Sequence, residues 1–170
     1  MPQNPTSPRL YDYLRPHVVD LAPSNEPTWF RRLERQRILE AEARLGYTFP
    51  RHVRAFYEEI GFGVLRAGAK DPVDDSAGAQ WRQVANRILH PTTIAALSLG
   101  EAEINPHPPL RQNEWPVFEA TEGDYFIVDP FASDPAIYTR YKIDKVADNF
   151  ADLIHRLYHE DVAFHRKRRW

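Results

Sequence analysis

The sequence predicts an α+β domain: helices first, then a meander of antiparallel strands, then a closing helix. Three observations carry this. Two short amphipathic patterns with their own stops fill residues 38–60. Short aromatic and β-branched runs separated by turn residues fill residues 115–143. Near the end, Val146, Phe150, Leu153, Ile154 and Leu157 recur at helical spacing. Helix and strand patterns do not alternate along the chain, which argues against a parallel α/β sheet.

In the first block, Ile38, Ala41, Glu42 and Leu45 share a helical face, and Gly46 supplies the left-handed residue that ends the helix. Phe49-Pro50 restarts the chain, because proline at a first helical position loses no needed N–H and has its φ already set. A second helix follows over Arg51–Ile60, with Val53, Phe56, Tyr57 and Ile60 on one face. Gly61 closes it, and Phe62 to Leu65 leads into a strand. Upstream, Leu10, Leu14, Val18 and Leu21 lie at helical spacing broken by Pro16, which predicts a short bent arm packed on the domain. Ser24-Asn25-Glu26-Pro27 reads as a helix start carrying Phe30 and Leu33 towards Ile38, so the first half reads as mostly helical.

Downstream, residues 67–79 hold Gly68, Pro72 and Gly78 with Asp71, Asp74 and Asp75, the composition of an exposed acidic loop. Trp81 to Leu89 reads as a short helix ended by Pro91, with Thr92 and Thr93 capping a further turn through Ile94 to Leu99. The runs Trp115–Glu119 and Tyr125–Asp129 are strands joined by the turn residues 120–124, and residues 136–143 form a third strand after Ser133-Asp134-Pro135. The last helix is expected over Val146–Tyr158. Leu45, Phe56, Ile127 and Leu153 should share one core.

At 170 residues the chain suits a single domain able to bury roughly 70% of its unfolded surface. Fifteen prolines against seven glycines imply stiff turns and many loops. The chain has no cysteine, which excludes a disulfide framework, a thiolate metal site and a thiol nucleophile. No basic segment followed by an apolar core opens the chain, and no apolar run approaches the ~20 residues of a membrane span. With a net charge of −2, neither nucleic acid nor membrane is an expected partner. A cytoplasmic protein is the expectation.

The combination of Glu42, Leu45-Gly46, Phe49-Pro50, Phe56-Tyr57, Gly61 and Gly63 resembles the opening of the SUKH superfamily. That group contains fungal cell-wall assembly regulators and many bacterial immunity proteins. Pro116-Val117-Phe118 and Gly123 to Phe126 are similar to the family's central hairpin, and Phe150 to Ile154 to the start of its closing helix. The resemblance covers residues 26–160, leaving 1–25 as an N-terminal arm with a mobile, proline-rich start and 161–170 as a basic tail. It implies a SUKH-like fold and a non-catalytic immunity protein that binds a cognate polymorphic toxin domain, with no cofactor. The fungal members imply an alternative, a regulatory scaffold tied to no toxin.

Candidate chemistry is sparse. His155 and His159 lie one helical turn apart and could chelate a metal, the basis for a metal-dependent hydrolase as the reading from another class. They share a polar stripe with Asp148 and Asp152 opposite the Phe150/Leu153/Leu157 stripe, lack the glutamate of a metalloprotease signature, and have no nominated third ligand. A solvated helix face with no tight metal is the expectation. Glu119, Glu122 and Asp124 cluster at the hairpin, where Glu119 alternates with Phe118 and should point outward. With Asp71, Asp74 and Asp75 they make a candidate acidic surface for a protein partner, and Trp81 is the candidate interface anchor. The tail His165 to Trp170 is basic but too short for a dedicated nucleic-acid surface. No phosphate loop, dinucleotide fingerprint or nucleophile elbow occurs, so no enzyme is expected.

Overall fold

Local chemistry sets the two helices that the sequence spells out. In the computed structural model, which describes residues 9–21, 26–66, 86–132, 135–140 and 144–160, helix α1 spans Arg35–Leu45 and helix α2 spans Arg51–Glu59. Gly46 sits at φ 72°, the left-handed stop expected there. Glu42 is the clamp between the helices. Its Oε1 accepts the Phe49 amide at 2.8 Å, and both carboxylate oxygens accept from Arg54 Nη1 at 3.2 Å. Glu42 is buried, so its charge is held by these donors rather than by water. Removing it as Glu42→Ala leaves the Phe49 N–H without a partner. A loss of about 2 kcal/mol in denaturant unfolding is expected, since Arg54 keeps its bond to Glu58.

Among the described residues, seven strands follow one another in a single antiparallel sheet, ordered as they occur in the chain. They are β1 Trp29–Arg31, β2 Phe62–Val64, β3 Arg87–Ile88, β4 Trp115–Thr121, β5 Asp124–Val128, β6 Ile137–Thr139 and β7 Lys145–Ala147. Helix α3 spans Pro91–Leu99 and helix α4 spans Phe150–His159. The fold is one α+β domain, as expected, and the Val117, Ile127 and Tyr138 strands are neighbours in the sheet. Pro116 is tolerated in a central strand because the ladder shifts register between Pro116 and Phe118.

Four local expectations are corrected. Phe30 lies in strand β1, not in a helix running to Ile38, because Trp29 to Arg31 pair with Val64 to Phe62. Arg87 and Ile88 form a strand between β2 and β4 rather than the end of a helix. Pro91 opens helix α3 instead of ending its predecessor, at the first helical position where proline is favoured. Val146 belongs to β7, and α4 begins only after Asn149, whose side chain accepts the Asp152 amide at 3.0 Å.

The core gathers on the sheet face turned towards α2 and α4. Phe56 is its hub, meeting Tyr11 at 4.9 Å, Phe150 at 5.5 Å and Phe30 at 5.7 Å, all edge to face. Phe56, Ile127 and Leu153 are buried as expected, whereas Leu45 is only half-buried beside them. The arm is a 3-10 helix, Asp12–His17, with Pro16 inside. It packs on the domain through Tyr11 and Leu14, while Leu10 and Leu21 of the expected stripe face water. Each sheet edge has one of its backbone positions engaged. Val18 bridges to Phe30 beside β1, and Arg156 donates to the Val146 carbonyl of β7 at 2.8 Å. Among the described residues no helix is long and apolar enough to cross a membrane.

Candidate functional site

Cross-strand partners share a face of a sheet, and successive residues alternate faces. The observed register therefore draws one continuous row across five strands: Trp29, Val64, Arg87, Glu119 and Tyr125. The row behind it, Phe30, Gly63, Ile88, Phe118 and Phe126, points to the helices and is core. The first row floors a groove of about 470 Å³. Phe62 adds to the floor, Thr93 and Leu97 of α3 form one wall, and Ala102 and Ile104 close it from the segment after α3. Ile104 is 84% exposed, an apolar side chain held in water at the rim.

Two polar features define the groove. Glu119 is buried, and Arg87 reaches it from β3 through Nε at 2.9 Å and through Nη2. The other oxygen of Glu119 accepts the Gly123 amide at 3.1 Å, which ties the β4–β5 hairpin turn down. Arg87 keeps over half of its side chain in solvent, so the pair presents a cation outward and hides its carboxylate. The second feature is His90, whose ring stands edge-on to Phe62 at 4.7 Å. Its Nδ1 accepts the Thr92 amide at 3.2 Å and so caps α3. Burial first, and then the charge of Arg37, hold the His90 imidazolium below the ordinary histidine range.

These positions revise the acidic surface. Alternation does place Glu119 opposite Phe118, but that face is the groove floor and not open water. Its expected outward exposure is therefore wrong, and it has a folding role. Glu122 is exposed at the hairpin tip and Asp124 half-buried beside it, both flanking Gly123. Glu119 thus links the turn flanked by Glu122 and Asp124 to the groove floor, although neither of these two carboxylates lines the groove. Asp71, Asp74, Asp75 and Trp81 lie outside the described residues, as do residues 1–8 and the basic tail 161–170. Sequence reasoning missed Trp29, Phe62, Arg87 and His90. Only His90 left a local signal, a potential cap immediately before a helix-opening proline.

The histidine pair takes a different setting from the expected solvated stripe. His155 is exposed and opposite the buried Leu153, Ile154 and Leu157, but His159 is half-buried. Their rings lie 4.3 Å apart, and each is 6.0 Å from Tyr13 of the arm. They help seat the arm on α4. Among the described residues, no three His, Asp or Glu side chains are grouped so that they could hold a metal.

Compared with protein-family models, curated proteins and solved structures, the chain finds no match. The functional reading therefore rests on the residues and their geometry.

Proposed function

We propose that this chain is a non-catalytic protein-binding domain of the SUKH type, an immunity protein that neutralises a cognate bacterial toxin by direct contact in the cytoplasm. The observation that carries the contact surface is an apolar groove whose buried Glu119 also ties down the hairpin turn. An apolar floor of Trp29, Phe62 and Val64 runs past Arg87 to Glu119, whose carboxylate holds the turn that Glu122 and Asp124 flank. Apolar area flanked by charge is the anatomy of a specific interface, with anchors at the centre and polar groups at the rim. The SUKH resemblance supports the same class, since the motif residues have structural work here. Glu42 clamps the helix pair, and Phe56 and Tyr57 are core. Neutralisation by binding needs no catalytic residue, only a rigid surface. The sequence-based contacts Asp71, Asp74, Asp75 and Trp81 belong to this proposal, and Glu119 contributes by fixing the hairpin.

The test begins with affinity capture from the native organism, followed by binding kinetics and rescue of cells expressing the captured toxin. Glu122→Lys with Asp124→Lys should slow association with a basic partner, and the loss should shrink as salt screens the field. Ile104→Asp should raise the dissociation rate, by about 2 kcal/mol if that side chain is an anchor, with little effect on stability because it is exposed. Unchanged kinetics in both variants would remove this face from the interface. A captured partner that is not a toxin, bound through the same face, would overturn the immunity reading in favour of a regulatory scaffold.

A further inference from the structure

We infer that His90 is a proton-operated cap: uncharged, it closes the first turn of α3 and holds the groove wall, and charged, it releases both. Its importance for partner binding rests on the groove reading above; the cap itself does not.

The geometry supplies the argument. Nδ1 of His90 accepts the Thr92 amide at 3.2 Å and lies 2.7 Å from the Thr92 hydroxyl. A nitrogen that accepts carries no proton, so the capping ring is the neutral tautomer with its hydrogen on Nε2. Protonation turns Nδ1 into a donor. The Thr92 hydroxyl can still accept from it, but the Thr92 amide is orphaned, and a cation then stands at the positive end of the helix dipole. The usual caps, Ser, Asp and Asn, undergo no such change near neutral pH, whereas histidine does.

The surroundings reinforce the effect. Arg37 of α1 acts on the ring as a like charge. Arg87 and Glu119 on the groove floor are committed to each other, and Glu101 beyond α3 is held by Arg44. Phe62, which the ring meets from β2, is uncharged. Arg37 is itself paired with Glu40 at 3.1 Å, so burial of the ring is the larger cause. The ring therefore takes up a proton less readily in the folded turn than in the opened one, where histidine titrates near 6.5. Stability of this turn is full above about pH 6.5 and declines as pH falls below it, because the opened turn binds the proton more tightly. Thr93 and Leu97 line the groove from the same helix. Opening the first turn would displace Thr93 and lift the His90 ring from Phe62.

The experiment is amide hydrogen exchange on the full chain, read as protection factors so that the intrinsic pH dependence cancels. The reporters are Thr93 and Ile94, whose amides donate to the His90 carbonyl. Protection at both should fall between pH 7.5 and 5.5, by at most about tenfold, the limit set by an opened histidine that gains a proton which the closed one resists. His90→Asn keeps a capping oxygen but cannot titrate, so its protection should be the same at both pH values. Equal protection of the unsubstituted protein at the two pH values, or the same fall in His90→Asn, would overturn the switch. Because the measurement uses free protein, its failure leaves the groove reading standing. Conversely, unchanged binding kinetics in the groove variants at pH 7.5 would sink that reading and leave the cap intact.

Discussion

Phe56→Ala should cost about 3–5 kcal/mol, with m-value and fold retained. The ring is fully buried, and three others meet it edge to face from three different parts of the chain. Tyr11 comes from the arm, Phe30 from the sheet's first strand and Phe150 from the closing helix. None of these can collapse into the void without leaving another partner, because each is itself anchored. Tyr11, for instance, is tied down by its hydroxyl to the His52 carbonyl at 2.8 Å. Poor collapse puts the site at the expensive end of large-to-small substitutions. The thermal midpoint should drop by roughly 6–20 °C for a chain of this size. A loss under about 1.5 kcal/mol would mean that the arm or α4 is not seated as described.

That hub shows how much of the fold the sequence discloses. Phe56 is assignable to a core face from its neighbours alone, because Val53, Tyr57 and Ile60 repeat at helical spacing. The two helix stops, the hairpin glycine and the closing helix are likewise written in local chemistry. What local chemistry cannot supply is pairing between distant residues. Strands β1, β2 and β3 are only two or three residues long and become strands through Val64 and Gly63, which pair on both sides. Too short to show alternation, β1 and β3 read as parts of neighbouring helical patterns, and only β2 is announced locally, by Gly61 and the run Phe62 to Leu65. Pro91 illustrates the ambiguity, since proline serves equally as a stop for one helix and a start for the next.

The candidate site was less legible for the same reason. Glu122 and Asp124 follow from the turn, since both flank Gly123. The groove does not, because its floor is a row contributed by five strands, and only Glu119 and Tyr125 of that row fall within one stretch, the β4–β5 hairpin. Glu119 marks the boundary between the two cases. Alternation correctly separates it from Phe118, but whether the opposite face meets water depends on Arg87, 32 residues earlier in the chain.

The second large effect falls at Gly61. Gly61→Ala should destabilise by about 3 kcal/mol or more, combining backbone strain with a contact that cannot be relieved by a side chain. Gly61 has φ 116°, and an added Cβ would stand 1.8 Å from the Arg31 carbonyl oxygen. The obstacle is backbone, so β1 itself must move. Moving β1 pulls Phe30 from Phe56 on one face and Trp29 from Val64 on the other, which disturbs the core and one end of the groove together. Gly123→Ala is the control. It also has positive φ, at 75°, but nothing lies near its missing Cβ, so only the conformational cost of about 1–2 kcal/mol should be seen. The difference between the two variants in urea unfolding isolates the contact. If Gly61→Ala loses no more than Gly123→Ala, the close approach of β1 to the end of α2 is wrong. If it loses more, the variant should also weaken partner binding through the displaced Trp29, whereas Gly123→Ala should affect binding only at the hairpin end.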